Sequence, residues 1–240
     1  MCYNIAVASK KEIKDLVGLG IEVNVSEKEI HTVSGFTSPK IPVLTTGDPN
    51  QVQLFNWGLV PKWCKDETQA NEMRLNTLNA KSETVFEKPS FRASIGTKRC
   101  LIFVNGFYEW RDFNKKKYPY FIHLKDQEAF ALGGIYESWV NKETGEIIDS
   151  CSIITTEANP LMAMIHNSKK RMPLIFEKER MFDWIKEDIS KEKINSLMQP
   201  LDEKLMEAHT ISKLITNRTI DPNVPEVKKE FNYPELNSLF

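Results

Sequence analysis

Residues 99–113 read "RCLIFVNGFYEWRDF". Five consecutive apolar residues, Cys100 to Val104, are followed by Asn105, Gly106 and a second apolar group that encloses one carboxylate, Glu109. An unbroken run of aliphatic and aromatic residues of this length predicts a strongly apolar strand with a glycine at its middle. Working outward, residues 118–140, "YPYFIHLKDQEAFALGGIYESWV", predict strand, turn and strand, and "DSCSIITTEA" (149–158) predicts another strand. Upstream, "TSPKIPVLTTGDP" (37–49) predicts an extended segment ending in a turn, and "QVQLFNWGLVPKW" (51–63) a strand running into a proline-bounded loop.

Helical patterning is confined to short pieces. "KKEIKDLVGLG" (10–20) sets Ile13, Leu16 and Val17 on one side and closes on glycine. "ANPLMAMIH" (158–166) offers Asn159 as a cap and Pro160 in the first turn. "EKERMFDWIKEDI" (177–189) and "SKEKINSLMQ" (190–199) read as amphipathic helices. The proline-containing segment 223–240 reads as a surface-wrapping or fraying end. Strands and helices do not alternate in a βαβ rhythm. The expected fold class is therefore α+β: a single compact domain around a curved, mostly antiparallel, barrel-like sheet with flanking helices.

The chain has 240 residues, 41% hydrophobic and 27% charged, enough for a sizeable core. Its apolar runs are too short or too interrupted to span a bilayer, and no secretory signal pattern opens it. The cysteines, Cys2, Cys64, Cys100 and Cys151, are widely spaced without a C-x-x-C, which argues against structural zinc and dithiol redox chemistry. A reducing, cytoplasmic setting is expected. The net charge is -1, so bulk charge does not point to nucleic acid. Lysine and arginine nevertheless cluster in "SKKEIK", "GTKRC", "FNKKKY" and "HNSKKRMP", and acidic residues concentrate in the later helices. One basic and one acidic face is a possible outcome; solvated loops are the plainer one.

Four polar positions invite chemistry. Cys2 would become the N-terminus if Met1 were removed, carrying an α-amine and a thiol on adjacent carbons. Taken alone it reads as well as a small buried hydrophobe. Glu109 lies among Phe107, Tyr108 and Trp110, where desolvation raises a carboxyl pKa toward a range useful for proton transfer. The plain alternative is a glutamate at a strand end, paired with a base. His166 ends its helix, where a charged imidazole also serves as an ordinary cap. Asn79, in "RLNTLNAKSET", reads as a loop residue. Trp57 and Trp63 flank a glycine and a proline near lysines; they could offer stacking faces to single-stranded bases or belong to the core.

Taken together, "MC" at the start, "WGLVPKW", "LNAKSET", "SFRASIGTKRCLIFVNGFYEW", "GGIYESW", "IITTEAN", "IHNSKKRMPLIF" and the later "HTISKLITN" resemble, in order, the SRAP family. These are the SOS-response-associated peptidases, the abasic-site processing proteins. The resemblance runs to about residue 225, which implies one SRAP-like domain over residues 1–225 and a C-terminal tail over 226–240. It implies a compact α+β domain around a curved sheet that captures abasic sites in single-stranded DNA as a covalent crosslink. By that resemblance Cys2 is the crosslinking residue, and Asn79, Glu109 and His166 complete the active site. Lys81 falls where many members carry a DNA-contacting arginine. Arg92 and Arg171 flank the motif segments and are the next DNA-binding charges, with Trp57 or Trp63 as stacking candidates. Tyr3 and Asn4 stand where many members have glycine and arginine, and the extra "SKK" before Arg171 adds positive charge.

The implied chemistry explains the position of Cys2. An α-amine has a pKa near ~8, against ~10.4 for lysine, so more of it is nucleophilic at pH 7. It condenses with the ring-opened aldehyde, and the adjacent thiol closes a five-membered thiazolidine, an intramolecular step. Glu109 would exchange the proton, His166 would assist ring opening or reversal, and Asn79 would hold the sugar or the N-terminus. The family's peptidase label implies self-removal of Met1. No metal or cofactor is expected; the expected partner is single-stranded DNA with abasic sites, bound by a monomer, with no membrane. Two rivals are an N-terminal nucleophile amidohydrolase, with the α-amine as base, and a non-catalytic single-strand-binding module.

Overall fold

Residues 99–113 form one long strand that pairs with two different sets of neighbours along its length. The protein's structure, a computed structural model, describes residues 2–217 and 219–239, the side chains of 237–239 excepted. In chain order its strands are β1 (Asn4–Val7), β2 (Glu22–Val23), β3 (Ile30–Ser34), β4 (Lys40–Thr45), β5 (Asp48–Trp57), β6 (Asn79–Lys81), β7 (Arg99–Phe113), β8 (Lys116–Leu124), β9 (Phe130–Val140), β10 (Ile147–Glu157), β11 (Arg171–Pro173), β12 (Ile175–Phe176) and β13 (Met206–Thr210). The helices are α1 (Lys10–Val17), α2 (Glu67–Asn76), α3 (Pro160–Ile165), α4 (Met181–Trp184) and α5 (Lys191–Leu197).

The first half of β7 closes a five-stranded barrel. It pairs with β4 on one side and β9 on the other, and β4–β5–β10–β9 completes the ring. Only the β5–β10 contact in this ring is parallel. The second half of β7 leaves the barrel and runs between β1 and β8, which carry β3 and β13 on their outer edges. The expected α+β class with a curved, mostly antiparallel, barrel-like sheet is what the structure has.

Alternation along β7 assigns the faces. Cys100, Ile102 and Val104 join Ile41, Val43, Leu132 and Ile153 in one buried cluster; Leu101 and Phe103 face the opposite cluster, which includes residues of α1, α4 and α5. Full burial of each such aliphatic or aromatic side chain contributes about 1.5–3 kcal/mol. The alternation then breaks. Ala6 of β1 pairs with Gly106 while Val7 pairs with Val104, so Asn105 is an extra residue on β7. A bulge of this kind reverses which side chains face the core. Beyond it Phe107 rejoins the Cys100–Val104 cluster, whereas Tyr108 packs in a separate one with Phe121. Gly106 permits close packing here: a Cβ on it would come within 2.3 Å of the Phe121 ring.

Local signals hold at several boundaries. Ser9 and Glu12 form a reciprocal capping box at α1, and Gly18 ends that helix with φ of 81°. Asn159 caps α3 through its side chain, with Pro160 in the first turn. Two readings change, and one helix carries no sequence signal. Asn79–Lys81, expected as loop, forms β6 against β10, an assignment a polar tripeptide does not announce. Glu67–Asn76 forms a helix capped by Asp66 that has only Ala70 buried, which explains its missing apolar stripe. The first C-terminal helix shrinks to the single turn Met181–Trp184. The end of the chain is docked rather than frayed: Tyr233 and Leu236 belong to the same buried cluster as Cys2.

Candidate active site

Cys2 lies two residues before β1 and has no exposed surface. Its backbone carbonyl accepts a hydrogen bond from Asn79 Nδ2 at 2.9 Å, so β6 pins the start of the chain. Pairing with β10 makes this polar stretch a strand and fixes the position of Asn79. Asn79 Oδ1 is buried and has no hydrogen-bond partner among the described residues. It is an acceptor beside Cys2, available to a donor that arrives with substrate. The Cys2 thiol lies 3.8 Å from the Asn4 carbonyl, and burial, followed by the charge of Glu109, pushes its pKa upward. The sulfur is therefore held as a neutral thiol at pH 7.

Glu109 stands beyond the bulge on the Phe107 side of β7 and is 4% exposed. Burial raises its pKa to about 7. It is therefore not a part-exposed glutamate at a strand end, but a buried one inside β7. His166, also buried, follows α3 at the start of the turn that leads to β11. Its Nδ1 is 2.9 Å from the Arg171 carbonyl. A carbonyl only accepts, so Nδ1 carries the hydrogen, and in the neutral ring Nε2 keeps a lone pair. The same Nδ1 lies 3.8 Å from a Glu109 carboxylate oxygen. Burial lowers the His166 pKa. At pH 7 the Glu109 carboxyl therefore sits near its titration point, while the His166 imidazole that faces it is neutral and able to accept a proton. They line one cleft of about 400 Å³, together with Tyr3 and Lys117. A pair so tuned can give and accept protons near pH 7.

The charged and aromatic candidates separate. Lys81 is exposed on β6, two residues from Asn79 and so on the same side of that strand, roughly 7 Å along it. Arg92 is exposed on the turns after Pro89. Trp63 is 45% exposed and donates its indole N–H to the Pro89 carbonyl, so it belongs to the Arg92 neighbourhood. Neither Trp63 nor Arg92 lines the cleft. Trp57 corrects the sequence reading: it has no exposed surface and donates to the Leu78 carbonyl, so no base can reach its ring. Arg171 is not a free cation. Its guanidinium is forked onto the Glu83 carboxylate and bonds the Thr155 carbonyl at 2.6 Å, while its own carbonyl holds His166. Glu83 lies 88 residues from Arg171 in the chain, so no local sequence signal announces the pair. Tyr3 was read only as a departure; it lines the cleft and packs at 4.9 Å on the exposed Phe36. Met1, whose removal the proposed chemistry needs, lies outside the described residues.

The arrangement has counterparts. The family profile described as SOS response associated peptidase (SRAP) matches residues 1–218. The chain belongs to that family. Among curated relatives, the abasic site processing protein YoqW of Bacillus subtilis is 38% identical over 179 residues, covering 74% of this chain and 76% of that protein. The abasic site processing protein HMCES of Pongo abelii is 28% identical over 201 residues, covering 72% of this chain and 54% of the longer relative. A crystal structure of a protein from Bacteroides thetaiotaomicron superposes with a TM-score of 0.89 at 38% identity, covering 96% of this chain and all of the other. One from Bordetella bronchiseptica shares the fold at a TM-score of 0.74 and 20% identity. In this SRAP chain the four polar candidates come from β6, β7, the turn after α3 and the segment just ahead of β1. Among the described residues no cluster of His, Cys, Asp and Glu could hold a metal.

Proposed function

We propose that this protein captures abasic sites in single-stranded DNA through a covalent bond to Cys2. The observation that carries the reading is that Glu109 and His166 line one cleft while Cys2, buried behind it within reach of the Glu109 charge, has its carbonyl held by Asn79, in a chain whose relatives are named for abasic-site processing. Once Met1 is gone, the Cys2 amine attacks the aldehyde carbon of the ring-opened deoxyribose. Loss of one water gives the imine. The sulfur then adds to the imine carbon, the thiol proton passes to nitrogen, and the thiazolidine closes. The buried thiol is protonated at neutral pH, so the amine acts first and the sulfur needs a base when its turn comes. Glu109, with a pKa of about 7, can accept that proton and return it. The Nε2 of His166 takes part in opening the sugar or reversing the bond. Asn79 fixes the Cys2 carbonyl and offers Oδ1 to a substrate hydroxyl or the new N–H.

In this reading the protein acts as a monomer in the cytoplasm and removes its own Met1. The free, buried state of all four cysteines supports a reducing compartment, and no described helix is long and apolar enough to cross a membrane. Incubation with single-stranded DNA bearing one abasic site, followed by a denaturing gel, tests it. Wild-type protein is expected to shift the DNA, and Cys2→Ala or a protein with a blocked N-terminus is expected not to. A heat-stable shift with Cys2→Ala would remove Cys2 from the chemistry.

A further inference from the structure

Two basic segments fifty residues apart meet at the mouth of the cleft. The β7–β8 hairpin turns through Asn114 and Lys115, both with positive φ (48° and 61°), as a two-residue loop between Phe113 and Lys116. Lys117 follows. The turn from His166 to Lys170 is closed by hydrogen bonds from the amides of Lys169 and Lys170 to the His166 carbonyl. It is fastened to β7 by Asn167, whose side chain accepts from the Asp112 amide at 3.0 Å and donates to the Asp112 carbonyl at 2.8 Å. This two-point clasp brings Ser168 and Lys169 to the same cleft as Lys117, Glu109 and His166. Both lysines are exposed, and among the described residues neither has a carboxylate within ion-pair distance. Arg171, the other cation of this segment, is occupied by Glu83.

We infer that Lys117 and Lys169, with the Ser168 hydroxyl, form a seat for the phosphodiester next to the sugar held at Glu109 and His166. The cleft of about 400 Å³ has the size of small-molecule sites, and a sugar reacting at its catalytic end carries a phosphate on either side. A phosphate has no partner at that end, where Glu109 supplies negative charge whenever it ionises. At the mouth two uncompensated ammonium groups and a hydroxyl meet it. Asp112 also lines the cleft, opposite Lys117 in the β7–β8 register, and opposes the attraction. The seat therefore works by net charge, and removing the Asp112 charge strengthens it.

This inference rests on the single-strand reading above, and the test separates the two. The probe is a single-stranded oligonucleotide with a tetrahydrofuran site, which lacks the aldehyde and cannot crosslink; binding is followed by fluorescence anisotropy at several salt concentrations. Lys117→Gln/Lys169→Gln is expected to weaken binding about tenfold and to reduce the salt slope by about 0.7 for the lost phosphate. Asp112→Asn is expected to tighten binding about two- to threefold, since it deletes one opposing exposed charge. Oligonucleotides with a neutral methylphosphonate 5′ or 3′ of the site identify the phosphate: one of them weakens wild-type binding and leaves the double variant's binding unchanged. Wild-type affinity and salt slope in the double variant, or an undiminished methylphosphonate penalty, overturn the seat. If wild type still crosslinks authentic abasic DNA in that case, the functional reading stands without it. If wild type neither binds nor crosslinks, the functional reading falls and takes the seat with it. Thermal unfolding of both variants checks that the exposed substitutions leave the fold intact.

Discussion

Two strands of this protein carry nearly the same tetrapeptide. Residues 106–109 are Gly-Phe-Tyr-Glu on β7, and residues 134–137 are Gly-Ile-Tyr-Glu on β9. Both glutamates are buried, 4% exposed at Glu109 and 3% at Glu137. Their surroundings are opposite. Glu137 is ion-paired with Lys98, lies 3.7 Å from Lys62, and accepts from the Ser94 hydroxyl and the Ser138 amide. Glu109 has the imidazole of His166 at 3.8 Å and the wall of a cleft. Tyr136 packs against Phe55 of the barrel while Glu137 turns away to the Lys98 turn; on β7 the tyrosine turns away and the glutamate takes the Phe107 side. The bulge at Asn105 makes this difference. One extra residue in the strand sets whether the carboxylate meets the Lys98 turn or the cleft beside His166.

The largest expected effect tests that division of roles. Glu109→Gln is expected to slow crosslinking about 100- to 10,000-fold, the usual contribution of a general acid–base group. Glu137→Gln is expected to leave the rate within a factor of two or so, because its carboxylate is engaged away from the cleft. Single-turnover crosslinking on gels measures both, and equal slowing would mean that the two carboxylates are not functionally distinct.

The next effect is on stability against pH. Burial raises Glu109 from 4.5 to about 7, so between these values the folded protein binds a proton that the unfolded chain releases. The contribution is fully present below pH 4.5 and is lost as pH rises through about 7. The difference amounts to about 3 kcal/mol. Glu109→Gln removes this dependence and is expected to be the more stable protein above pH 7. Urea unfolding at pH 5 and pH 8 measures it; parallel curves for the two proteins would contradict the burial assigned to Glu109.

Lys98→Met comes third. It strips the main partner from a buried carboxylate and leaves Lys62 and Ser94, an expected loss of about 2–3 kcal/mol at pH 7. Glu137→Gln is smallest, about 1 kcal/mol, because the Lys98 ammonium it releases is already a quarter exposed and can turn to water. Denaturant midpoints should therefore rank Lys98→Met below Glu137→Gln, and the reverse order would place the cost on the lysine.

Much of this was legible in the chain. The apolar run 100–104, the strand–turn–strand pattern after it and the lack of a βαβ rhythm pointed to an antiparallel barrel-like sheet, because period-two patterning and turn residues are local properties. Ser9–Glu12 and Asn159–Pro160 marked helix starts for the same reason. Glu109 and His166 could be singled out because a polar residue among apolar ones is expensive wherever the chain puts it. β6 was not legible, since a three-residue polar strand exists only by pairing with β10. Trp57 and Trp63 could not be told apart: the two rings sit in similar local sequence, and only the closure of β5 against β10 buries the first.

The sequence by itself determined the elements, the pool of candidate side chains and the chemistry available to a cysteine at position 2. The tertiary structure decided which of them meet. Asn105–Gly106 gave no sign of whether the strand would count one residue or two at that point, yet that count sets the face on which Glu109 emerges. The same holds for Arg171, whose charge is plain in the sequence and whose engagement by Glu83 is not. Propensity and burial preference act over a few neighbouring residues. Strand phase, ion pairing and the clasp of Asn167 on Asp112 depend on contacts between segments tens of residues apart, and those contacts exist only when the chain has closed.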